Sequence, residues 1–325
     1  MKKILIPTKL DKVAREILEA NGNYTVMLQV AELLPLADKH ADAYGLIVRS
    51  EKVTPEVIDK LPRLKVIVRA GSGYDNINTK YARKKGIDVM TTPGANANAV
   101  AEEVIALMLA DARHIVKADP STRSGKWEKN DFMGRELSGK TVGIVGLGAI
   151  GQLVAKRLSG FDVTVIGYDP VISQERARAI NVEVVDLPVL FERSDYITLH
   201  VPENNDTRGM VNASVLSKMK HGATIVNCAR AGIINEEDLR KADLKLRYLN
   251  DVYPKDAEGP KSVADIADIM LPHLGASTKE ANYKAAVHAA QELVEFDEKG
   301  ITSYIVNRDI PPGRDEAYAE LAHVL

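Results

Sequence analysis

Short unbroken apolar runs alternate along this chain with stretches whose apolar residues recur at helical spacing. The runs at 4–6, 45–48 and 66–68 are strand-length, rich in Ile, Leu and Val, and read as buried strands; residues 86–90 supply another. Between them, 13–18 has helical spacing. Thr54-Pro55 opens a further helix, with Thr54 as N-cap and Pro55 at the first helical position. From 95 to 117 the residues Val100, Val104, Leu107, Met108, Leu109 and Ile115 fall on nearly every face. That predicts a helix buried all round, between domains or between subunits. The pattern then vanishes over 119–140, where Trp127 and Phe132 remain. So long a structureless stretch is uncommon in a compact domain, and we read it as an arm that packs its aromatics on a partner subunit.

The pattern is sharpest at 141–158, TVGIVGLGAIGQLVAKRL. A strand at 142–147 leads into Gly146-x-Gly148-x-x-Gly151, and Ile150, Leu153, Val154, Arg157 and Leu158 continue at helical spacing. Strand, glycine turn and helix in that order are the context of a dinucleotide fingerprint. Gly146 serves the tight turn, Gly148 the approach of a pyrophosphate, and Gly151 the close packing of helix on strand. The phosphates are then expected over the free N–H groups at the N-terminus of the helix, its positive end. A second strand at 163–167 ends in Tyr168-Asp169, eighteen positions after Gly151. An acid there binds ribose hydroxyls and repels a 2′-phosphate, which favours NAD over NADP.

Further strands follow at 196–199, 224–226, 248–249 and 269–271, and each runs into polar residues: His200, Asn227 to Arg230, Asn250-Asp251, and His273. The carboxyl ends of the strands are where a doubly wound sheet keeps its ligands. Ser277-Thr278 caps a helix over 279–298, and 304–307 is a last strand expected to join the N-terminal sheet, so the chain crosses between domains twice.

Composition narrows the function classes. The 325 residues, 45% hydrophobic and 27% charged, suit two globular domains. A net charge of −2 gives no reason to expect nucleic acid or an acidic membrane as partner. The single cysteine, Cys228, excludes an intrachain disulfide and suits a reducing compartment, so a cytoplasmic location is expected. No apolar stretch approaches the ~18 residues of a membrane span.

Hydride transfer needs a base, a cation for the substrate's charge and a group that tunes the base. His273 is the natural base. Arg230 offers a fork for a carboxylate and for the developing carbonyl. Asp251, Asp256 and Glu258 are candidates for the carboxylate that stabilises the imidazolium. Arg49 and Arg69, each just after a strand, suit a small anionic substrate.

The stretches IVRSEKVTPEVI (47–58), RAGSGYDNIN (69–78), SGKWEKNDFMGRELSGKTVGIVGLGAIG (124–151), IGYDPVIS (166–173), VNCARAGIINEEDL (226–239) and PHLGASTKEA (272–281) resemble the D-2-hydroxyacid dehydrogenase family. The resemblance implies an α/β chain of two doubly wound parallel-sheet domains, a Rossmann NAD domain inserted into a flavodoxin-like substrate domain. The expected divisions are 1–95 (substrate, first part), 96–284 (NAD), 285–310 (substrate, return) and 311–325 (a tail, or the start of a regulatory region). It implies NAD-dependent oxidation of 3-phospho-D-glycerate to 3-phosphohydroxypyruvate, the entry to serine synthesis. The alternatives are a glyoxylate or hydroxypyruvate reductase and an NAD-sensing corepressor. It implies a homodimer or higher homo-oligomer.

By residue, the resemblance makes Arg230 the substrate-binding arginine and His273 the catalytic histidine. It gives NAD to Ser72, the glycine turn with Ala149 and Ile150, Asp169, Val201, Cys228, Ala229, Arg230, Asp251, His273, Gly275 and Ala276. It gives substrate to Arg49, Arg69, Ser72 and Gly73, and loosely sends Arg135 toward a neighbouring subunit's site. Where the family pattern resembles DVFxxEP, this chain reads Asp251-Val252-Tyr253-Pro254-Lys255-Asp256-Ala257, so Asp256 takes the usual glutamate's place, with Glu258 as the fallback. Ala231 stands where a glycine is common after the arginine.

Overall fold

The computed structural model describes residues 1–308. Its strands are β1 (Lys2–Ile6), β2 (Tyr24–Leu28), β3 (Gly45–Val48), β4 (Val66–Arg69), β5 (Asp88–Thr91), β6 (Thr141–Val145), β7 (Thr164–Tyr168), β8 (Glu183–Val184), β9 (Tyr196–Leu199), β10 (Thr224–Asn227), β11 (Arg247–Asn250) and β12 (Ile269–Met270). They form two sheets, β2-β1-β3-β4-β5 and β12-β11-β10-β9-β6-β7-β8, in which the paired strands are parallel. The first order is flavodoxin-like. The second is the doubly wound order of dinucleotide-binding sheets, extended by one strand and reversing between β6 and β9.

Each sheet belongs to its own unit. The first unit comprises Met1–Asn96 and residues 278–308, and the second comprises Ala97–Ser277. In the first, β3 is buried at every position, as a central strand covered on both faces must be. The helix Lys279–Lys299 completes the core of that unit. Ala285, Ala286, Ala289, Ala290 and Leu293 pack with Ile4, Ile6, Val66 and Val68, and each fully buried large side chain contributes ~1.5–3 kcal/mol. Its N-cap is Thr278, whose hydroxyl accepts from Ala281 N at 3.0 Å.

Three expectations change. Residues 304–307 form no strand; Ile305 makes a single antiparallel bridge with Met90. The Asn307 side chain stands in for the ladder, its Oδ1 accepting from Val89 N at 2.9 Å and its Nδ2 donating to Ile87 O at 2.9 Å. The apolar helix, Ala97–Ala112, is buried within the second unit, where Ala101, Val104, Leu107 and Met108 join Val142, Ile144 and Val154 in one cluster. Regular structure also extends into the expected arm as the helix Ile115–Arg123, none of whose residues is buried. Arg135 turns back onto the second unit, bonded to Asp111 Oδ2 at 2.8 Å and Gly222 O at 3.0 Å. The expected tail at 311–325 and the end of the return segment lie outside the described residues. Among the described residues no helix is long and apolar enough to cross a membrane.

Candidate active site

In the second unit the functional side chains are set by the ends of five strands. β6 runs into Gly146, whose φ of +94° suits glycine alone. A Cβ there would lie 2.7 Å from His200 O, and a Cβ on Gly151 would lie 2.0 Å from Gly146 O. Turn, helix and neighbouring strand end are therefore in backbone contact. Gly148, between them, has nothing within 4 Å of its Cβ position. It leaves an open approach to the N-terminus of the helix Ala149–Leu158. Those positions fit a pyrophosphate.

Asp169 follows β7. Its Oδ2 accepts from Leu147 N at 2.7 Å, and its Oδ1 accepts from Val171 N at 2.9 Å and Ile172 N at 3.1 Å. The carboxylate thus ties the glycine turn to its own loop. At the end of β9, His200 is half-buried and shares a 2.9 Å hydrogen bond between Nε2 and Thr198 Oγ1. Burial pulls its pKa down to about 3, so the ring is neutral, and Val201 follows it.

Past β10, Asn227 shapes the next turn. Its Oδ1 accepts from Ala229 N at 3.1 Å and its Nδ2 donates to Arg230 O at 3.0 Å. Arg230 is half-buried, with Nη1 on Ala229 O at 2.7 Å. Cys228 lies between them, its thiol pushed up by burial and then by the charges of Glu103 and Asp251.

Asp251, fully buried after β11, holds the last loop. Its Oδ1 accepts from Leu274 N at 2.7 Å and its Oδ2 from Gly275 N at 2.9 Å. Burial raises its pKa; the two amides and then His273 oppose the rise. His273 itself adopts a left-handed φ of +56°, a conformation that costs a non-glycine residue ~1 kcal/mol or more and gathers at functional sites. In that pose its Nδ1 lies 2.6 Å from Asp256 Oδ2. Both side chains keep about half their surface in solvent, with 44% and 56% exposed. Glu258 is exposed. The structure therefore brings Asp256, and not Asp251, to the imidazole.

The first unit holds a second group at the ends of β3 and β4. Arg69 Nε donates to Arg49 O at 3.2 Å, and Arg49 N donates to Glu51 Oε2 at 2.8 Å. Burial draws the Arg49 pKa down, partly offset by Glu51. Ser72 Oγ bonds Asn96 Oδ1 at 3.2 Å, and Gly73 is next to it. Among the described residues no cluster suited to a metal ion occurs. The sequence pattern placed Asn227 at a strand end but gave it no role; it shapes the Arg230 turn. The pattern missed Glu103, which stands beside the exposed Glu102 on a mostly apolar helix.

Residues 105–275 match the family described as D-isomer specific 2-hydroxyacid dehydrogenase, NAD binding domain. The chain is similar to the D-3-phosphoglycerate dehydrogenase of Synechocystis, 40% identical over 301 residues that span 90% of this chain and 54% of that protein. It is similar to the enzyme of that name from Methanocaldococcus jannaschii, 40% identical over 338 aligned positions, 100% of this chain and 64% of that one. The chain thus spans little more than half the length of the curated relatives it matches. Among solved structures it resembles the NAD+-bound 3-phosphoglycerate dehydrogenase of Entamoeba histolytica, with TM-score 0.77, 32% identity, and 95% and 99% of the two chains covered. It also resembles D-2-hydroxyisocaproate dehydrogenase, with TM-score 0.82, 25% identity, and 95% and 100% covered.

Proposed function

Because this chain belongs to the D-isomer specific 2-hydroxyacid dehydrogenase family, we propose that it oxidises 3-phospho-D-glycerate to 3-phosphohydroxypyruvate. NAD, held by the glycine turn, Asp169 and the ends of β9 to β12, supplies the hydride acceptor when bound. The observation that carries the reading is the His273–Asp256 pair, one loop beyond a strand of the dinucleotide-binding sheet. His273 Nε2 takes the substrate hydroxyl proton, and Asp256 at Nδ1 orients the ring and stabilises the imidazolium that results. Arg230 receives the substrate carboxylate and polarises the forming carbonyl. Asp251, through its two amide bonds, holds the loop on which His273 rides.

Substrate choice is assigned to Arg49 and Arg69, with Ser72 and Gly73, as partners for phosphate and carboxylate. The first unit is then the substrate-binding domain and the second the NAD-binding domain. A panel of phosphorylated and unphosphorylated 2-hydroxy acids with NAD and NADP, followed by coenzyme absorbance, tests the proposal. Preference for phosphoglycerate with NAD supports it. Preference for glycerate or glycolate points to the glyoxylate or hydroxypyruvate reductase, and coenzyme binding without turnover points to a corepressor. Arg49→Ala is expected to raise KM for phosphoglycerate on the order of tenfold and to leave KM for an unphosphorylated acid nearly unchanged, since one charged contact is lost. An equal effect on both substrates would make Arg49 structural.

A homodimer or larger homo-oligomer completes the proposal. Ile115, Val116, Trp127 and Met133 lie within one stretch of the second unit and expose 54%, 50%, 85% and 80% of their surface. A second copy covering them removes an apolar patch that monomers rarely keep. Sedimentation at micromolar concentration is expected to show at least a dimer, weakened in Trp127→Glu; a monomeric wild type contradicts it. The free thiol of Cys228 suits a cytoplasmic setting.

A further inference from the structure

The helix Ala97–Ala112 carries two inward acids that the proposed chemistry leaves unused: Asp111, which is paired with Arg135 and Arg247, and Glu103. Both carboxyl oxygens of Glu103 are buried, and neither has a hydrogen-bond partner among the described residues. A buried polar group left unbonded costs ~1–3 kcal/mol, and more when charged, so its presence calls for an explanation. Its surroundings supply one. A Cβ added at Gly275 would lie 3.1 Å from Glu103 Oε2 and 3.5 Å from Asp251 Oδ2, so both carboxyls face the same point beside the backbone of the His273 loop. Asp251 is already committed to the amides of Leu274 and Gly275, whereas Glu103 has nothing comparable.

Two buried carboxylates side by side do not both ionise without a cation. The titratable groups facing Glu103 are Asp251 from the end of β11 and Cys228 from the end of β10; His273 and Asp256, farther along the loop, act on Asp251. Burial first, and then the Asp251 charge, push Glu103 up to about 7, within reach of physiological pH.

We propose that Glu103 is a proton-exchanging residue of the cofactor site, protonated beside reduced nicotinamide and ionised beside the oxidised, positively charged ring. The inference rests on the reading of this unit as an NAD site. On binding the cationic ring the Glu103 O–H bond breaks and the proton leaves to solvent; the neutral reduced ring provides no such pull. Linkage then makes affinity for NAD+ relative to NADH rise with pH.

Calorimetric titration of the protein with NAD+ and with NADH, near pH 7 in two buffers of different ionisation enthalpy, counts the protons. Release of about half a proton more with NAD+ than with NADH is expected from a group titrating near the working pH. The ratio of the two dissociation constants should change roughly fivefold to tenfold across the neutral range, as a pKa shift of about one unit requires. Glu103→Gln is expected to abolish both effects and still bind NAD+. Equal proton counts for the two coenzymes, or counts unchanged in Glu103→Gln, overturn the proposal. Failure of the wild type to bind NAD+ at all overturns instead the reading on which it rests. Should Glu103→Gln not fold, infrared difference spectra of the wild type decide. Loss of a protonated-carboxyl C=O band with NAD+ but not NADH supports the proposal, and an unchanged band overturns it.

Discussion

Asp256→Asn is expected to lower turnover on the order of 10²-fold, with NAD affinity little changed. The substitution keeps the shape at 2.6 Å from His273 Nδ1 but removes the charge that steadies the imidazolium formed as the hydroxyl proton arrives. His273→Gln should cost more, up to about 10⁴-fold, because the base itself is gone. The two changes act on one unit of chemistry, so the double variant should be scarcely worse than His273→Gln alone. Glu258→Gln should stay near wild type, since that side chain is exposed and Asp256 occupies the position beside the ring. Steady-state rates for the four proteins check this. A damaging Glu258→Gln with a near-neutral Asp256→Asn would transfer the role two residues along.

Glu292→Gln is expected to stabilise the protein, and increasingly so as pH rises. Glu292 lies 5% exposed on the helix Lys279–Lys299 beside Leu293 and the alanine stripe, and its Oε2 has no hydrogen-bond partner among the described residues. Burial, and then the neighbouring Glu295, push its pKa up to about 9 from an ordinary 4.5. Between those values the folded chain holds a proton that the unfolded chain has lost, so stability falls as pH rises through that window. At neutral pH, about 2.5 units above the ordinary value, the penalty amounts to ~3–4 kcal/mol at 1.36 kcal/mol per unit, and a neutral amide of the same shape removes it. Urea midpoints for variant and wild type should therefore converge near about pH 5 and separate by about pH 8. A difference that does not change with pH would mean that Glu292 ionises as readily in the fold as out of it.

The glycine turn was legible because three glycines at fixed spacing sit where a strand run gives way to period 3.6; φ requires Gly146, backbone contact requires Gly151, and Gly148 keeps the approach open. His273 and Arg230 were legible as polar residues delivered at strand ends. The helix Ile115–Arg123 was not, since it buries none of its residues and carries Pro120 inside it, so no apolar rhythm marks it. The apolar run 304–307 suggested a strand, but an asparagine side chain takes over the bonds that a second strand would make. Glu103 was invisible for a different reason. A sequence shows that an acid falls among apolar neighbours; only the packing shows that Asp251 and Gly275 wait on the other side.

The order of the units along the chain has a consequence for synthesis. The second unit is one uninterrupted segment, Ala97–Ser277, whereas the first is split around it. As the chain leaves the ribosome from its N-terminus, β1 to β5 emerge early, but Ala285, Ala286, Ala289, Ala290 and Leu293, which close their core, emerge only after the whole inserted segment. The inserted segment can complete its sheet while the strands that precede it still lack one wall. For that interval the apolar faces of the N-terminal strands stay uncovered, and the helix Lys279–Lys299 acts as the latch that ends their exposure.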